Sequence, residues 1–204
     1  MINNKELFLT WIKNLFYVHC ALLLVYLISL IPFVGDWFDW ISTIGSVVAV
    51  FCLYKLMPVS ERYRKAAIFS GISVGLTLVG GLFDIGLVVS IAGIVCHYIG
   101  LYQEFYGHAE VLLTIDSELA KKWHSFFNWR LFGGIIVGIV SGPVIAILAL
   151  VLLFTEGVIA ALTVLVASGF ELVLKIMYLV YLKRTHGVCE GYAHWSEGTP
   201  IDEI

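Results

Sequence analysis

Charge is scarce in this chain. Aspartate, glutamate, lysine and arginine supply 13% of its 204 residues, while 60% are hydrophobic. Soluble domains carry about a quarter charged residues, so an ordinary water-facing globule is excluded. Cysteine is scarce too. Of Cys20, Cys52, Cys96 and Cys189, only the last lies beyond the apolar runs described below, so no structural disulfide is expected and Cys189 should be a reduced thiol. Also missing are a nucleophile elbow, a phosphate-binding loop, a zincin helix and a dinucleotide fingerprint; no catalytic motif supports an enzyme. No small-residue cleavage pattern precedes Asp36, so the first apolar run reads as a retained anchor rather than a signal peptide.

What the chain has instead is long apolar runs. They fall at about 14–34, 38–57, 66–83, 85–106, 131–154 and 157–182, each near the ~20 residues that a helix needs to cross hydrocarbon. The runs are continuous and rich in Leu, Ile, Val and Gly, unlike the alternating strands of about ten residues in an outer-membrane barrel. The sequence therefore predicts an all-α, polytopic membrane bundle of six transmembrane helices within residues 1–185, followed by a mobile cytoplasmic tail, 186–204.

Basic residues orient the spans, because Lys and Arg near span ends are retained on the cytoplasmic side. Lys5 and Lys13 precede the first run; Lys55, Arg62, Arg64 and Lys65 surround the joint of the second and third. Lys121, Lys122 and Arg130 lie between the fourth and fifth, and Lys183 and Arg184 follow the sixth. The opposite turns carry Asp36, Asp39, Asp84 and Glu156. This pattern predicts three helical hairpins with both termini cytoplasmic, in a plasma or bacterial inner membrane. Aromatic belts at Trp37 and Trp40 on one side, and at Trp11, Tyr54, Tyr102, Trp129 and Tyr178 on the other, agree with that register.

Three segments lie outside the runs. The basic loop MPVSERYRKAA is expected to touch anionic lipid head groups, with no nucleic acid as partner. TIDSELAKKWHSFFNWR reads as a short helix capped by Asp116, with Leu119, Trp123, Phe126 and Phe127 on one face. Such a face predicts an interfacial helix at the membrane surface, leading into the fifth run, with a docking surface for a partner as the alternative. In the tail, His186, Cys189 and His194 could meet a soft metal, but three ligands at irregular spacing are a weak zinc signal, and no metal is expected there.

Packing signals accompany the spans. Ala67, Gly71 and Gly75 recur at intervals of four, as do Gly134, Gly138 and Gly142, and each set predicts a smooth stripe for close helix approach. Pro143, directly after Gly142, removes a backbone donor and predicts a kink, either architectural or a gating hinge.

The candidate site comes from depth. Glu171 lies inside the sixth run with Lys175 four residues on, the favourable order for pairing along a helix. Counted at 1.5 Å per residue from the outer end, Glu171 is about 21 Å deep, where a carboxylate must pair, take up a proton or face a wet cavity. Lys175, nearer the inner rim, can extend its stem to the interface. His19, Cys20, Cys52, Cys96 and His97 reach nearly the same depth. Ser168, Glu171, Lys175 and Tyr178 share one helical face, and Ser90, Gly93, His97, Gly100, Glu104 and His108 share another. The sequence thus predicts a polar layer centred on Glu171, with His97 and His19 as candidate partners; the bland alternative is that these groups only specify packing. No cofactor is expected, a haem or metal in the polar layer being the lesser alternative.

Two roles fit this layer. One is a small-molecule or ion transporter, or a ligand-binding membrane subunit; lacking any soluble domain for ATP, it would need ion coupling or a separate energising subunit. The other is a membrane scaffold or regulatory component that engages cytoplasmic proteins through its loops and tail, with lipids as its remaining partners.

Overall fold

The computed structural model describes the backbone of residues 4–31, 35–83, 87–152 and 156–192, and the side chains of 4–31, 40–80, 88–137 and 161–192. It is all helical among these residues: α1 (Asn4–Ser29), α2 (Gly35–Leu56), α3 (Glu61–Phe83), α4 (Leu87–Leu112), α5 (Ser117–Leu152) and α6 (Glu156–Gly191). Each helix packs on its neighbours in sequence, α6 closes the ring on α1, and α4 touches α6 across it. Among the described residues, three stretches are long and apolar enough to cross a membrane, Asn4–Ser29, Val88–Leu112 and Ala161–Gly191, and Trp40–Leu56 is a shorter apolar helix. The turns that join the helices at the end opposite the basic residues lie outside the described residues.

The helices outrun the apolar segments on the side of the basic residues, and there they are packed. α1 begins at Asn4 rather than near 14, α4 continues to Leu112, and α6 continues to Gly191, past the tail boundary read from the sequence. The buried core lies at this basic end. It joins Phe8 and Ile12 of α1, Leu53 and Leu56 of α2, and Tyr63 and Ala66 of α3 to Phe105 and Leu112 of α4, Trp123 and Phe126 of α5, and Tyr178 and Leu182 of α6. Successive helices therefore run antiparallel. The far halves differ: Leu24, Ile31, Trp40, Ile44, Val88, Ile91, Val164 and Leu165 are exposed. Contiguous bare apolar surface of this kind suits hydrocarbon rather than water.

One expectation is corrected here. The segment read as an interfacial helix leading into the fifth run is the start of α5, which runs unbroken from Ser117 into the apolar stretch. Its cap is as expected, with Leu119 N donating to Asp116 Oδ1 at 2.9 Å. Its apolar face, however, is covered by protein: Leu119, Trp123, Phe126 and Phe127 all belong to the core. An amphipathic pattern records only that a face is shielded from water, and the ends of α4 and α6 do here what a lipid surface would do elsewhere.

Helix contacts also depart from the glycine stripes. A Cβ on Gly75 would meet nothing within 4 Å, and on Gly71 or Gly134 only ordinary contacts with Val50 at 3.6 Å and the Tyr98 hydroxyl at 3.8 Å. The close approaches fall at other glycines. Gly100 is pressed against Ser70, whose backbone nitrogen would lie 3.1 Å from an added Cβ, and Gly133 against Phe170, at 2.6 Å. The spacing of small residues shows that a helix can be approached, and the neighbour's side chains decide where. Gly138, Gly142 and Pro143 lie outside the described side chains, and α5 is helical through all three.

Candidate functional site

Two groups of polar side chains are held between the helices. The first is centred on Glu171 of α6. Its Oε1 accepts from Arg130 Nη2 of α5 at 3.2 Å and lies 3.3 Å from Lys175 Nζ one turn along. The Lys175 ammonium also sits 5.1 Å from the ring centre of Tyr26 on α1, and the Tyr26 hydroxyl donates to the Ser168 carbonyl at 2.8 Å. The pairing with Lys175 follows the helical spacing. Arg130 comes from another helix, 41 residues away, and the sequence marked it only as an orienting charge.

Beside this triad lies a cavity of about 200 Å³ between α4, α5 and α6, with Tyr98, Arg130, Gly134, Ala167, Phe170 and Glu171 in its wall. The charged side chains are partly screened: Arg130 is 17% exposed and Glu171 34%. Gly134 and Ala167 are too small to fill the space, and with Ala167 exposed it opens to the surface of the helices. Water or a ligand in such a space relieves the desolvation cost that an enclosed ion pair would otherwise carry.

The histidines expected beside Glu171 lie within charge range of its group, His97 of Arg130, Glu171 and Lys175 and His19 of Arg130 and Lys175, without bonding to Glu171. The His19 ring packs on Tyr178, centroids 4.5 Å apart. His97 lies against Tyr98 at 5.8 Å and is exposed. Among the described residues, neither is hydrogen-bonded to Glu171. Equal depth along two helices does not by itself bring two side chains into contact, and the side chains of His97 and Ser90 are exposed. The lower part of the same α4 face does turn inward, where Gly100, Glu104 and His108 are buried.

Those last two residues form the second group. The Tyr178 hydroxyl donates to Glu104 Oε1, and Tyr63 OH lies 2.8 Å from His108 Nδ1. His108 Nε2 is 3.7 Å from Glu104 Oε1 and has no hydrogen-bond partner. Burial, with Cys189, Glu104 and Glu110 adding to it, pushes the Tyr63 phenol well above its ordinary range, so Tyr63 keeps its proton. When Tyr63 donates to Nδ1, neutral His108 carries its own proton on Nε2, facing Glu104. Rings enclose the group: Trp123 lies 4.5 Å from His108, and Phe105 5.7 Å from Tyr178. The indole of Trp123 donates to Thr185 Oγ1 at 3.0 Å. With every member buried, this cluster reads as a polar knot that fixes α3, α4, α5 and α6 in register.

Part of the charge at the basic end is paired within the chain, while Lys13, Arg64, Lys122, Lys183 and Arg184 are exposed. Arg62 pairs with Glu110 at 3.3 Å, Lys65 with Glu61 at 3.1 Å, and Lys121 with Glu118 at 3.3 Å. Lys5 donates to the carbonyls of Glu190 and Tyr192, at 3.2 and 2.6 Å, and so caps α6. Of the tail residues weighed as metal ligands, Cys189 is buried, His186 lies 3.6 Å from Glu190, and His194 is outside the described residues. Among the described residues no group of three or more His, Cys, Asp or Glu is placed to hold a metal. Compared with protein-family models, curated proteins and solved structures, the chain matches none.

Proposed function

We propose that this chain is a multi-pass membrane protein that binds a small solute or ion in the cavity beside Arg130 and Glu171, as a transporter or as the ligand-binding subunit of one. The observation that carries the reading is the cavity itself. Charged groups inside an apolar bundle are costly unless used or compensated, and here a pair of opposite charge borders about 200 Å³ of space left open by Gly134 and Ala167. Pockets that join apolar walls to a few converging polar groups are where small ligands bind. Both termini are read as cytoplasmic, from the basic residues.

The scaffold alternative draws less support. It would use the exposed Lys13, Arg64, Lys122, Lys183 and Arg184 of the basic end, but it leaves the Arg130–Glu171 pair between the helices without a use.

Gly134→Leu tests the reading, because it fills the cavity and leaves both charges in place. Native mass spectrometry of the solubilised wild type should show a non-lipid adduct or bound ion that the variant lacks, and solute flux into proteoliposomes should fall in parallel. Identical adducts and flux in the two proteins would remove the cavity from the mechanism.

A further inference from the structure

The two charges in the cavity wall are not equally satisfied. A guanidinium offers five N–H donors in a planar fork, and among the described residues the one hydrogen bond of Arg130 goes to Glu171. Its side chain is mostly screened, at 17% exposure, and lines the cavity, so its remaining donors are open to whatever occupies that space. Glu171 is the more satisfied partner, with Arg130 and Lys175 both on its Oε1. The immediate count is two cations to one carboxylate. Glu104, the other carboxylate of this region, is bonded to Tyr178 inside the aromatic knot and is absent from the cavity wall. Unsatisfied donors and surplus positive charge in a screened site both call for an acceptor with negative charge.

We infer that the cavity takes an oxyanion group, a carboxylate or phosphate of single net charge, held by the free edge of the Arg130 fork; this rests on the ligand-binding reading above. The space suits a small group: about 200 Å³ is roughly six or seven times the volume of one water molecule in the liquid. Tyr98, from the opposite wall, supplies a hydroxyl donor. Glu171 then has a second task. By occupying one edge of the guanidinium it holds the fork in place, and by its own charge it weakens anion binding enough to permit release.

That division of labour gives the charge variants opposite signs. In phosphatidylcholine nanodiscs, titrating benzoate and inorganic phosphate should raise the melting temperature of the wild type. Affinity should rise about tenfold in Glu171→Gln, where the competing charge is gone, and fall at least tenfold in Arg130→Gln, as expected when one charge-assisted pair is gained or lost. Arg130→Lys, which keeps the charge and loses the fork, should bind with intermediate affinity. The same ordering seen only when phosphatidylglycerol replaces phosphatidylcholine would identify the oxyanion as a lipid head group, and the same ordering with the soluble probes would identify a solute; either supports the inference. Binding of sodium, potassium or a small organic cation that is lost in Glu171→Gln would overturn the anion and leave the cavity as a ligand site. No response to any probe that distinguishes Gly134→Leu or the charge variants from the wild type would overturn both readings.

Discussion

The phenol of Tyr178 on α6 donates to the buried carboxylate of Glu104 on α4, joining two helices 74 residues apart in the chain. Tyr178→Phe keeps the ring packing on Phe105 and Trp123 and removes only the donor. It should destabilise the bundle by about 1–3 kcal/mol, the cost of leaving a buried acceptor without its partner. Adding Glu104→Leu to Tyr178→Phe should cost less than the two single changes summed, because the second removes the group that the first had stranded. Unfolding in detergent micelles measures all three; strict additivity would mean the pair is not coupled.

Trp123 lies fully buried and is bonded to Thr185. Trp123→Ala should cost about 3–5 kcal/mol through cavity formation. Thr185→Val, which keeps the shape and strands the indole N–H, should cost about 1–3 kcal/mol.

Glycine substitutions separate room for approach from approach itself. Gly75→Ala should be neutral or slightly stabilising, since an added methyl meets nothing within 4 Å and alanine favours the helix. Gly100→Ala forces α4 away from Ser70 and should cost about 1–3 kcal/mol. Equal melting temperatures for the two variants would contradict the α3–α4 packing described above.

His124 rests on Tyr106, centroids 4.1 Å apart, and burial, followed by the Arg62 charge, lowers its pKa from 6.5. The folded state therefore favours the neutral ring. This contribution is present above pH 6.5 and is lost as the pH falls through the lowered value. The stability of the wild type should drop more steeply between pH 7 and 5 than that of His124→Gln, because the unfolded chain takes up a fraction of a proton more at this ring. Parallel curves for the two proteins would show that His124 does not titrate on unfolding.

Apolar runs, helix class and the Glu171–Lys175 pair were legible in the sequence because each depends on spacing within one helix. Arg130 was legible only as a charge near a span end, since its link to Glu171 depends on how far α5 and α6 are offset and rotated. The same holds for Glu104: its face on α4 and that of Tyr178 on α6 were both visible, but their meeting was not. His97 shows the converse. Depth and residue type favoured it, and it lies within charge range of Glu171, yet its side chain is exposed and unbonded to that carboxylate while Glu104, seven residues on, is buried. The start of α5 was misread as a surface helix because an apolar stripe has the same period whether lipid or protein lies against it.

The uneven packing of the molecule gives it two kinds of neighbour. At the basic end, Trp123 is wholly enclosed by other parts of the chain; toward the far end, Trp40 is 63% exposed. The surrounding medium is thus a structural component of one half and a bystander to the other. Exchanging detergent for lipid, or a thin bilayer for a thick one, should alter the emission of Trp40 and leave that of Trp123 nearly unchanged, so that single-tryptophan versions of this protein would report separately on the part that carries its own solvent and the part that borrows it.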